Sequence, residues 1–173
     1  MSPVLSTRAA SPADLTAISA LHAAVFGPGR FARTAYRVRE GTPSVSRYCR
    51  VMLANDRIIA SLRLTAIRIG GEGGALLLGP LAVDGAYTGQ GFGRRLVGEA
   101  LEAAKADGIA LVVLVGDLPY YGRLGFKAVP PGQIVFPGPV DRTRLLAAEL
   151  QDGALTRYRG LVAADTGPAA TSS

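Results

Sequence analysis

Between Thr88 and Arg95 the chain reads Thr-Gly-Gln-Gly-Phe-Gly-Arg-Arg, a set of residue types suited to holding an anion. Glycines at 89, 91 and 93 carry no side chains to keep a ligand away from the backbone amides. An apolar run, Leu76 to Val83, comes before the turn. After it, Leu96, Val97, Ala100, Leu101 and Ala104 recur at helical spacing, with Arg95, Glu99, Glu102 and Lys105 on the other face. The order is strand, glycine turn, helix. The first amides of a helix lack intrahelical partners and sit at the positive end of its dipole. Arg94 and Arg95 oppose that dipole by a few tenths of a kcal/mol unless an anion is bound. A phosphate or pyrophosphate is the ligand such a turn suits. A plain glycine-rich connection shares the same short pattern. Two rival phosphate motifs are excluded, because a dinucleotide fingerprint needs a glycine where Leu96 stands and a P-loop needs Gly-Lys-Ser/Thr.

The strand leading into the turn is interrupted. Proline cannot donate to a ladder and glycine in a strand often marks a bulge, so Gly79-Pro80 predicts that the strand splays from its neighbour. Leu81, Ala82 and Val83 would then keep backbone groups open beside the turn, and a ligand with amides of its own could pair with them.

These residues resemble the acetyl-CoA-binding motif of the GNAT superfamily of N-acetyltransferases. The family pattern is Gln/Arg-x-x-Gly-x-Gly/Ala, and Thr88 to Gly93 follows it except that Thr88 replaces the usual Gln or Arg. Downstream, Ile109 to Val115 is continuously apolar and reads as a strand buried on both faces and parallel to the first. Tyr121-Gly-Arg-Leu-Gly-Phe126 follows it and resembles the family's Tyr-x-x-x-Gly-Phe ending. The wording Gly116 to Phe126 is similar to one branch of the superfamily whose substrates are mostly unassigned. The resemblance implies an α+β fold with a mixed sheet of about six to seven strands flanked by helices, one strand splayed at the cofactor site. It implies acetyl-CoA as cosubstrate, bound by Leu81, Ala82, Val83, Thr88, Gly89, Gln90, Gly91, Phe92, Gly93 and Arg94. It implies that Tyr121 hydrogen-bonds or protonates the departing sulfur, and that no metal takes part. The acceptor is then a primary amine of a small molecule or a protein, attacked directly in a ternary complex. The resemblance leaves room for a homodimer.

The elements around these motifs follow from caps and periodicity. Ser11-Pro-Ala-Asp14 starts a helix to about Val25, with Leu15, Ile18, Leu21 and Val25 on one face and His22 at its boundary. A second helix is expected from about Arg30 to Arg39. Its stripe of Arg30, Arg33 and Arg37 is either a solvated face or, with Arg39, an acceptor-facing one that favours an acidic group. Strands are expected at 3–10, 48–53, 57–69, 127–129, 145–150 and 160–164. A hairpin loop is expected at 70–74, a Pro/Gly loop at 130–139 and a short helix or turn at 152–159. No repeat or linker interrupts the chain, so 1–173 reads as one acetyltransferase domain with a frayed tail from about Thr166.

Composition narrows the classes. The chain has 173 residues, 49% hydrophobic and 18% charged, enough for one buried core. No apolar run reaches a membrane span and no signal segment is visible, and the lone Cys49 reads as a core residue, so a cytoplasmic location is expected. The net charge of +6 fits an anionic cofactor as well as nucleic acid. With no tryptophan and dispersed charge, nucleic acid is the weakest reading. Thr88, and the lack of an evident base among Glu40, Glu72, Asp84 and Asp117, keep a non-catalytic acyl-CoA sensor as the alternative to an enzyme.

Overall fold

The structure, a computed structural model, describes residues 2–27, 38–39, 42–43 and 45–166. The expected arginine stripe at 30, 33 and 37, Glu40 and the tail beyond Thr166 lie outside them. Among the described residues nine strands form the sheet, against the about six to seven expected. They are β1 (Leu5–Ala9), β2 (Arg50–Ala54), β3 (Arg57–Ile69), β4 (Glu72–Val83), β5 (Leu111–Val115), β6 (Lys127–Ala128), β7 (Ile134–Val135), β8 (Leu145–Glu149) and β9 (Gly160–Ala164). The main helices are α1 (Leu15–Phe26) and α2 (Phe92–Ala106), with a single-turn α3 (Leu118–Tyr121). The extra count comes from short pieces. β7 is two residues inside the Pro/Gly segment expected to be loop, held in parallel against β9.

The main path runs β1-β2-β3-β4-β5-β8-β6, and β9 takes the edge of β3 that β2 leaves. All its pairs are antiparallel except β4–β5, the pair joined through α2. Alternation along the central strands splits the core in two. Leu76, Leu78, Val112 and Leu114 join Leu96, Val97 and Ala100 of α2 on one face. Ala75, Leu77, Leu111 and Val113 join Phe136, Leu155 and Tyr158 on the other. β5 is therefore buried on both faces, as its unbroken apolar run requires. The β3–β4 turn is Gly70-Gly71 alone, both at positive φ, so β4 begins at Glu72 inside the segment expected to be hairpin loop.

Polar ties fix the elements that carry the site. Arg8 on β1 makes a two-pronged ion pair with Asp14, 2.7 and 2.9 Å, and Asp14 also accepts from the Ser11 N–H at 2.8 Å. Hydrogen bonding from Arg8 holds the Asp14 carboxyl well below the usual carboxylate range. On α2, burial alone would raise the Glu99 carboxyl, but Thr7, Arg50 and Arg95 donate to it and bring it below its ordinary value. One helix face is thus bound to β1 and β2. On α1 the expected apolar face holds at Leu21, which is buried, but Val25 is exposed. The last turn of that helix packs His22 and Phe26 instead, ring centroids 5.7 Å apart.

Candidate active site at the opening between β4 and β5

β4 and β5 pair only from Ala75–Leu111 to Leu77–Val113, and then separate. The cause is local to β4. Leu64 of β3 faces Leu78, but Leu62 faces Leu81, so Gly79 and Pro80 stand opposite Arg63 alone. This is a bulge of the expected kind, and Gly79 has a φ of 121°, a region that favours glycine. Beyond the bulge β4 stays paired to β3 through Val83, and Asp84 donates its N–H to Ile59 O at 2.8 Å. Peptide groups alternate along a strand. Ala82 therefore turns its own N–H and C=O toward β3, while Leu81 and Val83 turn theirs to the edge that β5 has left.

The glycine turn lies at the end of this opened strand. Asp84 Oδ1 accepts from the Ala86 N–H at 2.9 Å and the Thr88 hydroxyl donates to Gly85 O at 3.2 Å, which fixes the loop's approach. Gly91 is the N-cap of α2 in the left-handed region, φ 81°. Val83, Tyr87, Thr88, Gly89, Gly91, Phe92, Gly93, Arg94 and Tyr120 surround a cavity of about 320 Å³. The first turn of α2, Gly91 to Arg94, lines it, and the first amides of a helix have no intrahelical partner. Gly93 is buried, and a Cβ there would lie 2.7 Å from the Tyr120 hydroxyl and 3.2 Å from a methyl of Leu81. The cradle is one that any larger side chain at 93 would fill. The Arg94 guanidinium stands over the Tyr120 ring at 5.4 Å.

On the other side of β4 is a second cavity of about 590 Å³, within the range of small-molecule sites. Its floor is Gly79, Pro80 and Leu81 of β4 with Leu114 and Val115 of β5, and α1 forms a wall through Ile18, His22 and Phe26. The short helix α3 separates the two cavities. Consecutive helical residues diverge by about 100°, so Tyr120 borders the smaller cavity and Tyr121 the larger. The Tyr121 ring packs edge-on against Tyr120 and Phe126, at 4.8 and 5.7 Å between centroids. Gly116 makes room for it, since a Cβ there would come within 2.6 Å of the ring. Burial, with Tyr120 and Asp117 nearby, pushes the Tyr121 phenol up to about 12. It stays a neutral donor across the physiological range.

Of the residues singled out from sequence, Leu81, Val83, Thr88, Gly89, Gly91, Phe92, Gly93, Arg94 and Tyr121 border one or other cavity. Gln90 is exposed and borders neither, and Ala82 is buried in the strand between them. Among the base candidates, Glu72 is at the far hairpin, Asp84 caps the turn and pairs with Arg57, and Asp117 pairs with Arg144. None of these three borders either cavity. Sequence reading missed Tyr120, Arg63, Arg144 and His22 as site residues. His22 Nε2 lies 3.3 Å from the hydroxyl of the buried Ser61 on β3, on the wall of the larger cavity. Tyr120 was legible only through its neighbour, while His22 carried no signal beyond its place near an apolar helix face. Cys49 is buried, as expected. Among the described residues no group of three or more His, Cys, Asp or Glu could hold a metal ion, and no helix is long and apolar enough to cross a membrane.

Comparison with known proteins places this arrangement. Residues 46–128 match the model of the acetyltransferase (GNAT) domain, the stretch that spans β2 through β6. The uncharacterized N-acetyltransferase YhbS of Escherichia coli (strain K12) is 38% identical over 85 residues, 49% of this chain. The match spans about half, 51%, of that relative's length. In three dimensions the likeness is wider. The crystal structure of YhbS from Escherichia coli in complex with CoA superposes with a TM-score of 0.80 and 28% identity, over 95% of this chain and 91% of that one. A GNAT family acetyltransferase from Brucella melitensis in complex with acetyl-CoA gives a TM-score of 0.63 and 26% identity, over 87% and 97%. Residues 46–128, which hold the opened strand, the glycine turn and Tyr121, thus match the acetyltransferase (GNAT) domain, and the fold of the chain is similar to that of CoA-bound GNAT acetyltransferases.

Proposed function

We propose that this protein transfers an acetyl group from acetyl-CoA to a primary amine, with donor and acceptor bound together on opposite sides of the opened end of β4. The observation that carries the reading is the opening itself. It gives one strand edge that β5 leaves beyond Leu77, a helix N-terminus at one end and a cavity of small-molecule size on the other side. The first turn of α2 and Arg94 hold the pyrophosphate, and the absence of a Cβ at Gly93 allows the approach. Leu81 and Val83 pair with the amide-bearing arm that follows. The thioester supplies an acyl carbon with a thiolate leaving group of pKa near 8.5.

The protein's own residues have three tasks beyond holding the donor. A strand amide facing the opening, Leu81 or Val83, stabilises negative charge on the acyl oxygen. Tyr121 donates a hydrogen bond to the departing sulfur. With the phenol at about 12, full proton transfer to a thiolate is uphill, so donation is the role its chemistry allows. An ammonium must also lose a proton before it can attack. His22 borders the acceptor cavity and is the side chain type that accepts a proton near neutral pH, whereas the Asp141 carboxylate there is engaged by the Thr143 N–H and hydroxyl. Holding both reactants in place is worth about 7–11 kcal/mol of barrier. Placing the whole of 1–173 in one catalytic domain that works in the cytoplasm belongs to the same reading.

Two measurements test it. At 100 times its dissociation constant, CoA adds about 2.7 kcal/mol to folding stability, so the melting midpoint rises with CoA and not with NAD. Equal shifts from both ligands overturn the cofactor assignment. Thiol release from acetyl-CoA, screened over primary amines, separates an enzyme from an acyl-CoA sensor. CoA binding without turnover on any amine supports the sensor.

A further inference from the structure

We infer that Tyr120 is a further binding residue of the donor site, its hydroxyl donating a hydrogen bond to a diphosphate oxygen of the donor from a ring that Arg94 and Tyr121 hold in place. The inference rests on the acetyl-transfer reading and adds a residue that the glycine turn does not contain. The side chains of the turn itself offer the diphosphate little. The Thr88 hydroxyl donates to Gly85 O at 3.2 Å, and Gln90 borders neither cavity. Behind the turn, the Arg95 N–H bonds to Gly91 O at 3.1 Å, so the N–H groups of Phe92, Gly93 and Arg94 lie ahead of that first intrahelical bond. Tyr120 reaches this place from a different element, α3. A Cβ at Gly93 would lie 2.7 Å from the Tyr120 Oη, so the hydroxyl stands against the second residue of α2, on the wall of the smaller cavity.

The ring is set before a ligand arrives. The Arg94 guanidinium stands over it at 5.4 Å, and the Tyr121 ring meets it at 4.8 Å between centroids, 79° from coplanar. Methyl groups of Leu81 and Val83 crowd the same point above Gly93, at 3.2 and 3.7 Å. Among the described residues no acceptor takes the hydroxyl proton, and no carboxylate pairs with Arg94. A half-buried hydroxyl without a partner is a cost that an acceptor on the ligand removes. Burial raises the phenol above its ordinary value against the pull of Arg94, so at neutral pH it is a donor. A diphosphate presents acceptor oxygens and negative charge, which suit a phenol O–H beside a guanidinium and the amides of a helix start. Because the ring is already held on two sides, binding spends little on ordering it.

The experiment uses the full chain, CoA and Tyr120→Phe, which keeps the ring and removes the hydroxyl. Without ligand the melting midpoint should stay within about 2 °C of wild type, because no protein group loses a bond. CoA affinity by calorimetry should fall about 10-fold or more, the size of one hydrogen bond to a charged group. Phosphorus NMR at saturating CoA then shows which part of the ligand the hydroxyl touches. The two diphosphate resonances should differ between wild type and variant, while the separate monophosphate on the ribose stays in place. A packing role for Tyr120 would not single out the diphosphate. Unchanged affinity overturns the inference, and so does weaker binding with the diphosphate resonances unmoved or with the monophosphate moved as much as they are. Failure of the wild-type protein to bind CoA at all overturns instead the acetyl-transfer reading on which it rests.

Discussion

Replacing Tyr121 by phenylalanine isolates one hydroxyl. The ring is held by Tyr120, by Phe126 and by the space left at Gly116, and phenylalanine keeps all three contacts. Among the described residues the hydroxyl is assigned no hydrogen bond, so its removal leaves no known partner stranded. Folding stability should change by less than about 0.5 kcal/mol, which moves the melting midpoint by only about 1–2 °C in a chain of this size. Catalysis should change more. A hydrogen bond to a charged group is worth about 1.5–3 kcal/mol. The phenol at about 12 is a poor acid beside a thiol near 8.5, which puts the effect toward the low end. The expected loss in kcat is about 10- to 100-fold, with CoA affinity unchanged because the proposed donor site lies in the other cavity and along the strand.

The raised phenol gives the test a second axis. A group whose folded pKa is raised keeps its proton until pH climbs through the raised value, here about 12. The ratio of wild-type to Tyr121→Phe activity should therefore be flat from about pH 6 to 10, although each rate rises as the amine deprotonates. Steady-state thiol release on the best amine, beside a direct CoA titration, measures both. Full activity in the variant refutes a role at the sulfur and leaves Tyr121 as packing. A ratio that collapses between about pH 9 and 10 means that the phenol titrates near its ordinary value. Loss of CoA binding together with activity means that Tyr121 holds the donor.

The remaining predictions concern the cradle and the frame. In Gly93→Ala the new methyl must displace the Tyr120 hydroxyl or a Leu81 methyl, and CoA affinity by calorimetry should fall about 10-fold or more; unchanged affinity in the folded variant would mean that the cradle is misplaced. Gly91→Ala meets open space but keeps a φ of 81°, so its primary cost is about 1–2 kcal/mol of stability, read from denaturant midpoints. Asp14→Asn removes the ion pair with Arg8 and a charged cap, and should cost about 1–2 kcal/mol at neutral pH. The Asp14 carboxyl is lowered in the folded state, so this contribution is present above the unfolded value near 3.9 and lost as pH falls through the folded one. The stability difference between wild type and variant should be constant above about pH 5 and shrink below about pH 4. A constant difference down to pH 2 would assign the effect to packing.

What the sequence made legible was what short-range chemistry dictates. Gly79-Pro80 announced a bulge, and the register shift opposite Arg63 lies there. The apolar run at 109–115 announced a strand covered on both faces, and β5 divides the two halves of the core. The glycine turn announced its helix, which begins at Phe92. The acceptor side was not legible, for a physical reason. Its wall is assembled from α1, β3, β5 and the segment near Arg144, residues more than a hundred positions apart that share no local pattern. His22 and Ser61 meet across 39 positions only because α1 lies over the face of β3 that carries Ser61 and Arg63. Periodicity shows which face of α1 is apolar, but not which strand residue that face will meet. The two sides of the site follow from different physics. The donor half is built from backbone groups, whose geometry glycine and proline fix locally and which a motif can therefore encode. The larger cavity is lined by side chains that only tertiary packing brings together, so no local motif encodes it.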